Sequence, residues 1–203
     1  MSRAADARPN AERELALALG AVDPAQVAAH PLVTALAIDK AVSERLVSTY
    51  YDTADRALIA DAIVLRVRRT PAGLVQTVKR GGPKGAGLAA RDEWETPLDD
   101  PAPQWPVELP GAVGARLARA AARGPVAPVF VTDFTRSRRR LATPGGDVVE
   151  LAIDIGVLRS GEHSRPIAEI ELELKHGSAA GLFELALGLT ESLPLTLQIV
   201  SKG

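Results

Sequence analysis

Residues 168–177 read AEIELELKHG. Glu169, Glu171 and Glu173 alternate with Ile170, Leu172 and Leu174, and Lys175 completes the charged row. Strict alternation is the period of a β-strand, whose successive side chains point to opposite faces. One face of this strand is acidic and the other apolar. The same period recurs upstream. Arg66 and Arg68 lie opposite Leu65 and Val67, and Thr77 and Lys79 opposite Val78. Arg91, Glu93 and Glu95 lie opposite Trp94. Arg136, Arg138 and Arg140 share a face, and Glu150, Ala152 and Asp154 lie opposite Leu151 and Ile153.

A solvated sheet face accounts for any one of these strands. As a set they ask for more, because basic strands alternate with mainly acidic ones. Like charges about 7 Å apart on one strand face repel unless something of opposite sign sits between them. Arginines and lysines suit phosphate groups, arginine often bidentately. Carboxylates suit a hard divalent cation such as Mg²⁺ or Mn²⁺. A closed barrel with these faces inward would hold a polyphosphate along basic walls and metal on an acidic one. Its apolar faces would point outward beneath helices, inverting the ordinary small barrel.

Composition narrows the chemistry. The chain has 203 residues, a length for one domain or two small ones, and 46% of them are hydrophobic. Aromatics are 3%, so the core is aliphatic. A net charge of −1 gives no global field toward nucleic acid or an anionic membrane. With no cysteine and three scattered histidines (His30, His163, His176), thiolate and imidazole metal sites are disfavoured and oxygen ligands remain. No apolar run of about 18 residues and no apolar signal core are present, and the expectation is a soluble cytoplasmic protein.

The remaining segments outline an α+β plan. Residues 1–10 read as a flexible tail and 11–203 as a single domain. AERELALALG (11–20) has helical composition but strand-like alternation of Leu15, Leu17 and Leu19. DPAQVAAHPLVTALA (23–37) predicts a helix with an Asp cap, interrupted at Pro31. GAVGARLARAAARG predicts a helix closed by Gly124, and the stretch from Ser178 another, with Ser178 as its cap. DDPAPQWPVELPG is a surface loop. GGPKGAG (81–87) lacks the spacing of a phosphate-binding loop and reads as a hairpin turn. RSRRR (136–140) lacks the stacking aromatics of a nucleic-acid surface. Tyr50 and Tyr51 read as packing residues, and His163 and His176 as exposed turn residues.

These stretches together resemble the CYTH superfamily, the triphosphate tunnel metalloenzymes. LVSTYYDTADRALIADAIVLRVRR, QTVKRGG, RDEWETPL, VFVTDFTRSRRRL, VELAIDIGVL and PIAEIELELKHG follow in that order, and the terminal SKG resembles the start of the family's closing Ser-Lys segment. Within the family the pattern is most similar to bacterial inorganic triphosphatases. The resemblance implies an eight-stranded antiparallel barrel with a charged interior, helices packed outside, and Mg²⁺ or Mn²⁺ as cofactor. It implies phosphate contacts from Arg66, Arg68, Lys79, Arg136, Arg138 and Lys202. It implies metal ligation by Glu169 and Glu171, then Glu12 and Glu14, with Glu173 further along the same face. Glu93 and Asp154 are the carboxylates assigned to catalysis, with the general base left open between them and their neighbours.

One departure stands out. The family's first strand carries Glu-x-Glu-x-Lys, and the match here is Glu12, Glu14 and then Ala16. A charge-assisted phosphate contact is worth roughly 1.5–3 kcal/mol, so its loss costs about 10- to 150-fold. Lys175 ends a similar run, but motif order places it on the last long strand. The implied activity is metal-dependent hydrolysis of inorganic triphosphate. The alternatives are a thiamine triphosphatase or class IV adenylate cyclase of the same family, a polyphosphate- or nucleotide-binding module weakened by Ala16, and a domain whose charged faces are merely solvated. The expected partner is a triphosphate, with no nucleic acid and no membrane. The abrupt end leaves room for a C-terminal partner domain, and the assembly is a monomer or dimer.

Overall fold

The computed structural model describes residues 10–83 and 88–198. Nine strands are present among them: β1 (Asn10–Ala18), β2 (Val42–Thr53), β3 (Ile63–Thr70), β4 (Gly73–Pro83), β5 (Ala89–Leu98), β6 (Val126–Ala142), β7 (Val148–Ser160), β8 (His163–His176) and β9 (Thr196–Gln198). They form one antiparallel sheet in the order β5-β4-β3-β2-β6-β7-β8-β1-β9. Pairing of β1 with β5, Asn10 opposite Glu93 and Glu14 opposite Ala89, closes the first eight into a barrel. The short β9 continues the edge of β1 beyond β5, placing Gln198 opposite Ala16.

The ambiguous segment 11–20 is a strand. Its leucines decide the matter: Leu15, Leu17 and Leu19 are 1%, 1% and 0% exposed on the outer face, while Glu12 and Glu14 take the inner face. A helix of the same residues would split that apolar row, so packing overrides helical propensity. The interruption at Pro31 is also found. Helix α1 (Pro24–Ala28) starts at Asp23, whose Oδ1 accepts from Ala25 N at 2.8 Å. Helix α2 (Pro31–Leu36) starts anew at His30, whose Nδ1 accepts from Leu32 N at 3.2 Å.

Three further helices complete the shell: α3 (Ala57–Ala60), α4 (Gly111–Ala121) and α5 (Ala180–Thr190). Ser178 does not cap α5 as read from sequence. Ala179 holds the cap position and Ser178 Oγ accepts from Ala180 N at 3.2 Å, because the turn is already held by Asp147, which accepts from Ser178 N at 2.7 Å. His163 and His176 are exposed, at the two ends of β8 rather than in turns. Strand β1 starts at Asn10, and residues 1–9 of the expected tail lie outside the described residues, as do 84–87 of the hairpin turn and the closing segment with Lys202.

The cores lie outside the barrel, as expected for an inverted pattern. One packs Leu15, Leu17, Leu151, Ile153, Ile170 and Leu172 against Val27, Val33, Leu182, Leu185 and Leu189 of the helices. The other packs Ile63, Leu65, Val78 and Trp94 against Leu58, Val113 and Leu117. The charged interior carries an apolar stretch as well. A third buried cluster, Leu46, Phe134 and Ile167 with Leu158 against it, lies on the inner face at one end. No helix among the described residues is long and apolar enough to cross a membrane.

Candidate active site

Antiparallel register carries each charged row onto one concave surface. Arg66 of β3 stands opposite Thr77 of β4, and Lys79 opposite Glu93 of β5. Arg136 of β6 stands opposite Asp154 of β7, which stands opposite Glu169 of β8. Glu171 stands opposite Ala152 on one side and Ala16 of β1 on the other, and Glu173 opposite Glu14.

The ion pairs show which predicted residues meet. Lys79 Nζ donates to Glu12 Oε1 and Oε2 at 3.0 and 2.7 Å and lies 3.4 Å from Glu93. Arg66 Nη2 lies 3.4 Å from the same Glu93 oxygen. Arg136 forks onto Asp154, with Nε and Nη2 donating at 2.8 and 2.7 Å, and Nη2 also donates to Glu171. Arg138 stands nearer solvent, its side chain 43% exposed, donating to Glu44 at 3.3 Å and Glu150 at 3.1 Å. Glu173 pairs with Lys175 at 2.7 Å, apart from the other two glutamates of its strand.

Two cationic groups are underpaired. Arg68 donates from Nε to Ser48 Oγ at 2.9 Å, and among the described residues no carboxylate lies within ion-pair reach of it. Burial, with Arg66 beside it, pushes Arg68 down to about 10, which still leaves it charged at neutral pH. Arg66 is 8% exposed, and its Nε is buried with no hydrogen-bond partner among the described residues. A buried donor left unpaired costs about 1–3 kcal/mol, which an anion would recover. Arg136 is held the other way: burial opposes its charge, but Glu171 and Asp154 raise it overall.

The acidic side has a focus as well. Asp154, Glu169 and Glu171 each offer an oxygen within 4.8 Å of the others, and Asp154 and Glu169 are 0% and 5% exposed. Three carboxylate oxygens without nitrogen or sulfur suit a hard divalent cation, so the donor set fits Mg²⁺ or Mn²⁺. Asp154, assigned to catalysis from sequence, thus groups with Glu169 and Glu171. Glu12 and Glu14 are engaged instead by Lys79 and Arg91. Burial, then Glu171 and Glu12, push Glu14 up to about 7 against the pull of Arg91 and Lys79.

The CYTH domain model matches residues 21–202. The chain belongs to the CYTH domain family. The match begins beyond β1, the strand in which Ala16 breaks the family signature. The chain is 32% identical over 152 residues to an inorganic triphosphatase of Haemophilus influenzae, covering 75% of this chain and 41% of that protein. It therefore spans less than half of that relative. Among solved structures it is similar to the Hippeastrum protein HpAC1, which has a dominant triphosphatase activity, at TM-score 0.59 and 20% identity, covering 94% and 92% of the two chains. It is also similar to a candidate adenylate cyclase from Vibrio parahaemolyticus, at TM-score 0.51 and 15% identity, covering 96% and 97%. These two likenesses bear on the CYTH fold.

Sequence reasoning left some interior residues of this CYTH domain unassigned. Arg91 shares the face of Glu93 and Glu95 in the sequence without a role there; its Nη1 donates to Glu14 Oε1 at 2.6 Å. Its position two residues before Glu93 was the available signal. Ser48, Tyr50 and Phe134 also face inward, and only strand register reveals it.

Proposed function

We propose that this CYTH domain hydrolyses inorganic triphosphate to pyrophosphate and phosphate with Mg²⁺ or Mn²⁺. The observation that carries the reading is buried Arg66, whose Nε has no partner among the described residues, beside half-buried Arg68, which has no ion pair among them, inside a barrel that also holds the carboxylates Asp154, Glu169 and Glu171. Phosphoryl transfer depends largely on positioning and charge neutralisation. Arg66, Arg68 and Lys79 supply cations on one wall, and Arg136 supplies another beside the acidic group. Arg138, half-exposed, suits an outer phosphate.

Asp154, Glu169 and Glu171 would hold the cation, with Glu12, Glu14 and Glu173 as further carboxylates on the same lining. When bound, the cation neutralises phosphate oxygens and makes water a better nucleophile. In the reaction water oxygen bonds to phosphorus, the bridging P–O bond breaks with its electron pair leaving on the departing group, and a carboxylate takes the proton. Glu93 is the candidate for that role, and its shared contact with Arg66 and Lys79 supports the reading.

The test is phosphate release from triphosphate, thiamine triphosphate, ATP and longer polyphosphate, each with Mg²⁺, Mn²⁺ or EDTA. Fastest release from triphosphate, abolished by EDTA, is expected. Faster turnover of a nucleotide or thiamine ester would transfer the assignment to another activity of the family. A second reading, a binding module with slow turnover, draws on Ala16, whose methyl stands opposite Glu171 where the family has lysine. Ala16→Lys is expected to raise turnover about tenfold or more; unchanged turnover would remove that lysine from the account.

A further inference from the structure

The charged part of the interior stops at Phe134. Along the inner face of β6, Arg138 and Arg136 give way to Phe134, Thr132 and Phe130. Register sets Leu46 of β2 and Gly156 of β7 on either side of Phe134, and Ile167 of β8 opposite Gly156. A Cβ at Gly156 would overlap the Phe134 backbone and the Asp133 carbonyl, so glycine is what lets the phenylalanine seat there.

These inward side chains are dry. Leu46, Phe134 and Ile167 are 3%, 2% and 5% exposed, and Ser48 and Thr132, opposite one another, are both 0% exposed. Tyr50 stacks on Phe130 with ring centroids 4.2 Å apart. Leu46, Phe134 and Ile167 pack together with Leu158 against them, so apolar side chains line this end of the barrel. The Arg68 and Arg136 guanidinium carbons stand 6.0 and 5.7 Å from the Phe134 ring centre, as cations do over an aromatic face. Along β6 Phe134 is therefore a boundary, with Arg136 and Arg138 on one side and Thr132 and Phe130 on the other.

We infer that the site is blind at this end and takes its substrate end-on, with a free terminal phosphate resting on Arg68 and Arg136 against Phe134. The floor of Phe134, Leu46 and Ile167 is a specificity element. It rejects a triphosphate esterified at both ends and prevents cleavage in the middle of a long polyphosphate, because neither an ester group nor further phosphates pass an apolar plug. A chain esterified at one end is not excluded, since its tail points away from the floor. The inference rests on the triphosphatase reading above. Each cleavage consumes one water, which bonds to phosphorus as the bridging P–O bond breaks; the electron pair leaves on the departing phosphate and the proton goes to a carboxylate or solvent.

The experiment compares free triphosphate, a triphosphate carrying adenosine at both ends, and long-chain polyphosphate. The wild-type domain is expected to cleave the doubly esterified compound at least roughly 100-fold more slowly than free triphosphate. It should shorten polyphosphate from its ends, with no mid-length fragments on a gel. Phe134→Leu and Ile167→Ala, which thin the floor while keeping it apolar, should raise the rate on the doubly esterified compound relative to the free one. A ratio is used because it survives a general loss of activity. Comparable rates on both compounds, mid-length fragments, or variants with an unchanged ratio would overturn the floor. Calorimetry in EDTA separates this from the function reading. Binding of free but not doubly esterified triphosphate in EDTA, with no hydrolysis of either once Mg²⁺ or Mn²⁺ is supplied, upholds the floor and removes only the triphosphatase assignment; equal binding of both overturns the floor.

Discussion

Glu14 sits among opposing influences. Burial and the carboxylates of Glu171 and Glu12 disfavour its charge, Arg91 and Lys79 favour it, and the outcome is a rise from 4.5 to about 7. A carboxyl with a folded pKa above its unfolded one makes folding take up a proton between the two values. Its cost is absent below about 4.5, grows as pH rises through the window, and is complete above about 7. Glu14→Gln, which keeps an acceptor for Arg91, is expected to match the wild type near pH 4 and to exceed it in stability at pH 8, by a few kcal/mol at most. Denaturant titrations across that range check this, and a difference independent of pH would contradict it. Inward placement of Glu14 was legible from period 2. Its pairing with Arg91 was not, because the two meet only where β1 closes the barrel against β5.

At the scale of elements, the shortest helix has the clearest dependence on one side chain. Asp52, 7% exposed at the end of β2, accepts at Oδ1 from Thr53 N at 2.8 Å and Leu58 N at 2.9 Å, and at Oδ2 from Ile59 N at 3.3 Å. This carboxylate satisfies the second and third amides of α3, Thr53 Oγ1 accepts from the first, Ala57 N, at 2.9 Å, and Leu58 packs behind the strand that carries Arg66 and Arg68. Asp52→Ala is expected to cost about 2 kcal/mol, lowering Tm by about 4–8 °C, with Asp52→Asn recovering part of the loss. An unchanged Tm for the alanine variant would show that water replaces the cap. Four residues are too few for a helical period, which is why α3 was absent from the sequence reading. The long strands were present in it because many alternating residues carry their signal. In β6 the inner row changes from arginine to phenylalanine part-way, and a rule that sought charge on inward positions stopped where the charge did.

At the scale of the molecule, an inverted barrel was readable because apolar and charged rows alternate on strand after strand. What periodicity lacks is the height of each residue along the barrel, which depends on register and closure. Height is what brings Arg68 of β3 beside Arg136 of β6, so that burial, Arg66 on its own strand and Arg136 all disfavour its charge. The free fold thus carries an unfavourable term that an anion relieves. A ligand at 100 times its Kd adds about 2.7 kcal/mol of stability, or about 5–10 °C in Tm for a domain of this size. Triphosphate in EDTA, where hydrolysis is suppressed, is expected to produce such a shift by scanning calorimetry. Arg68→Ala should leave the unliganded Tm unchanged or higher, since it removes the crowded charge and forfeits only the Ser48 hydrogen bond, and it should shrink the triphosphate shift by more than half. A lower unliganded Tm with an intact shift would mean that Arg68 supports the fold rather than the substrate, and would move the phosphate site away from the β3 wall.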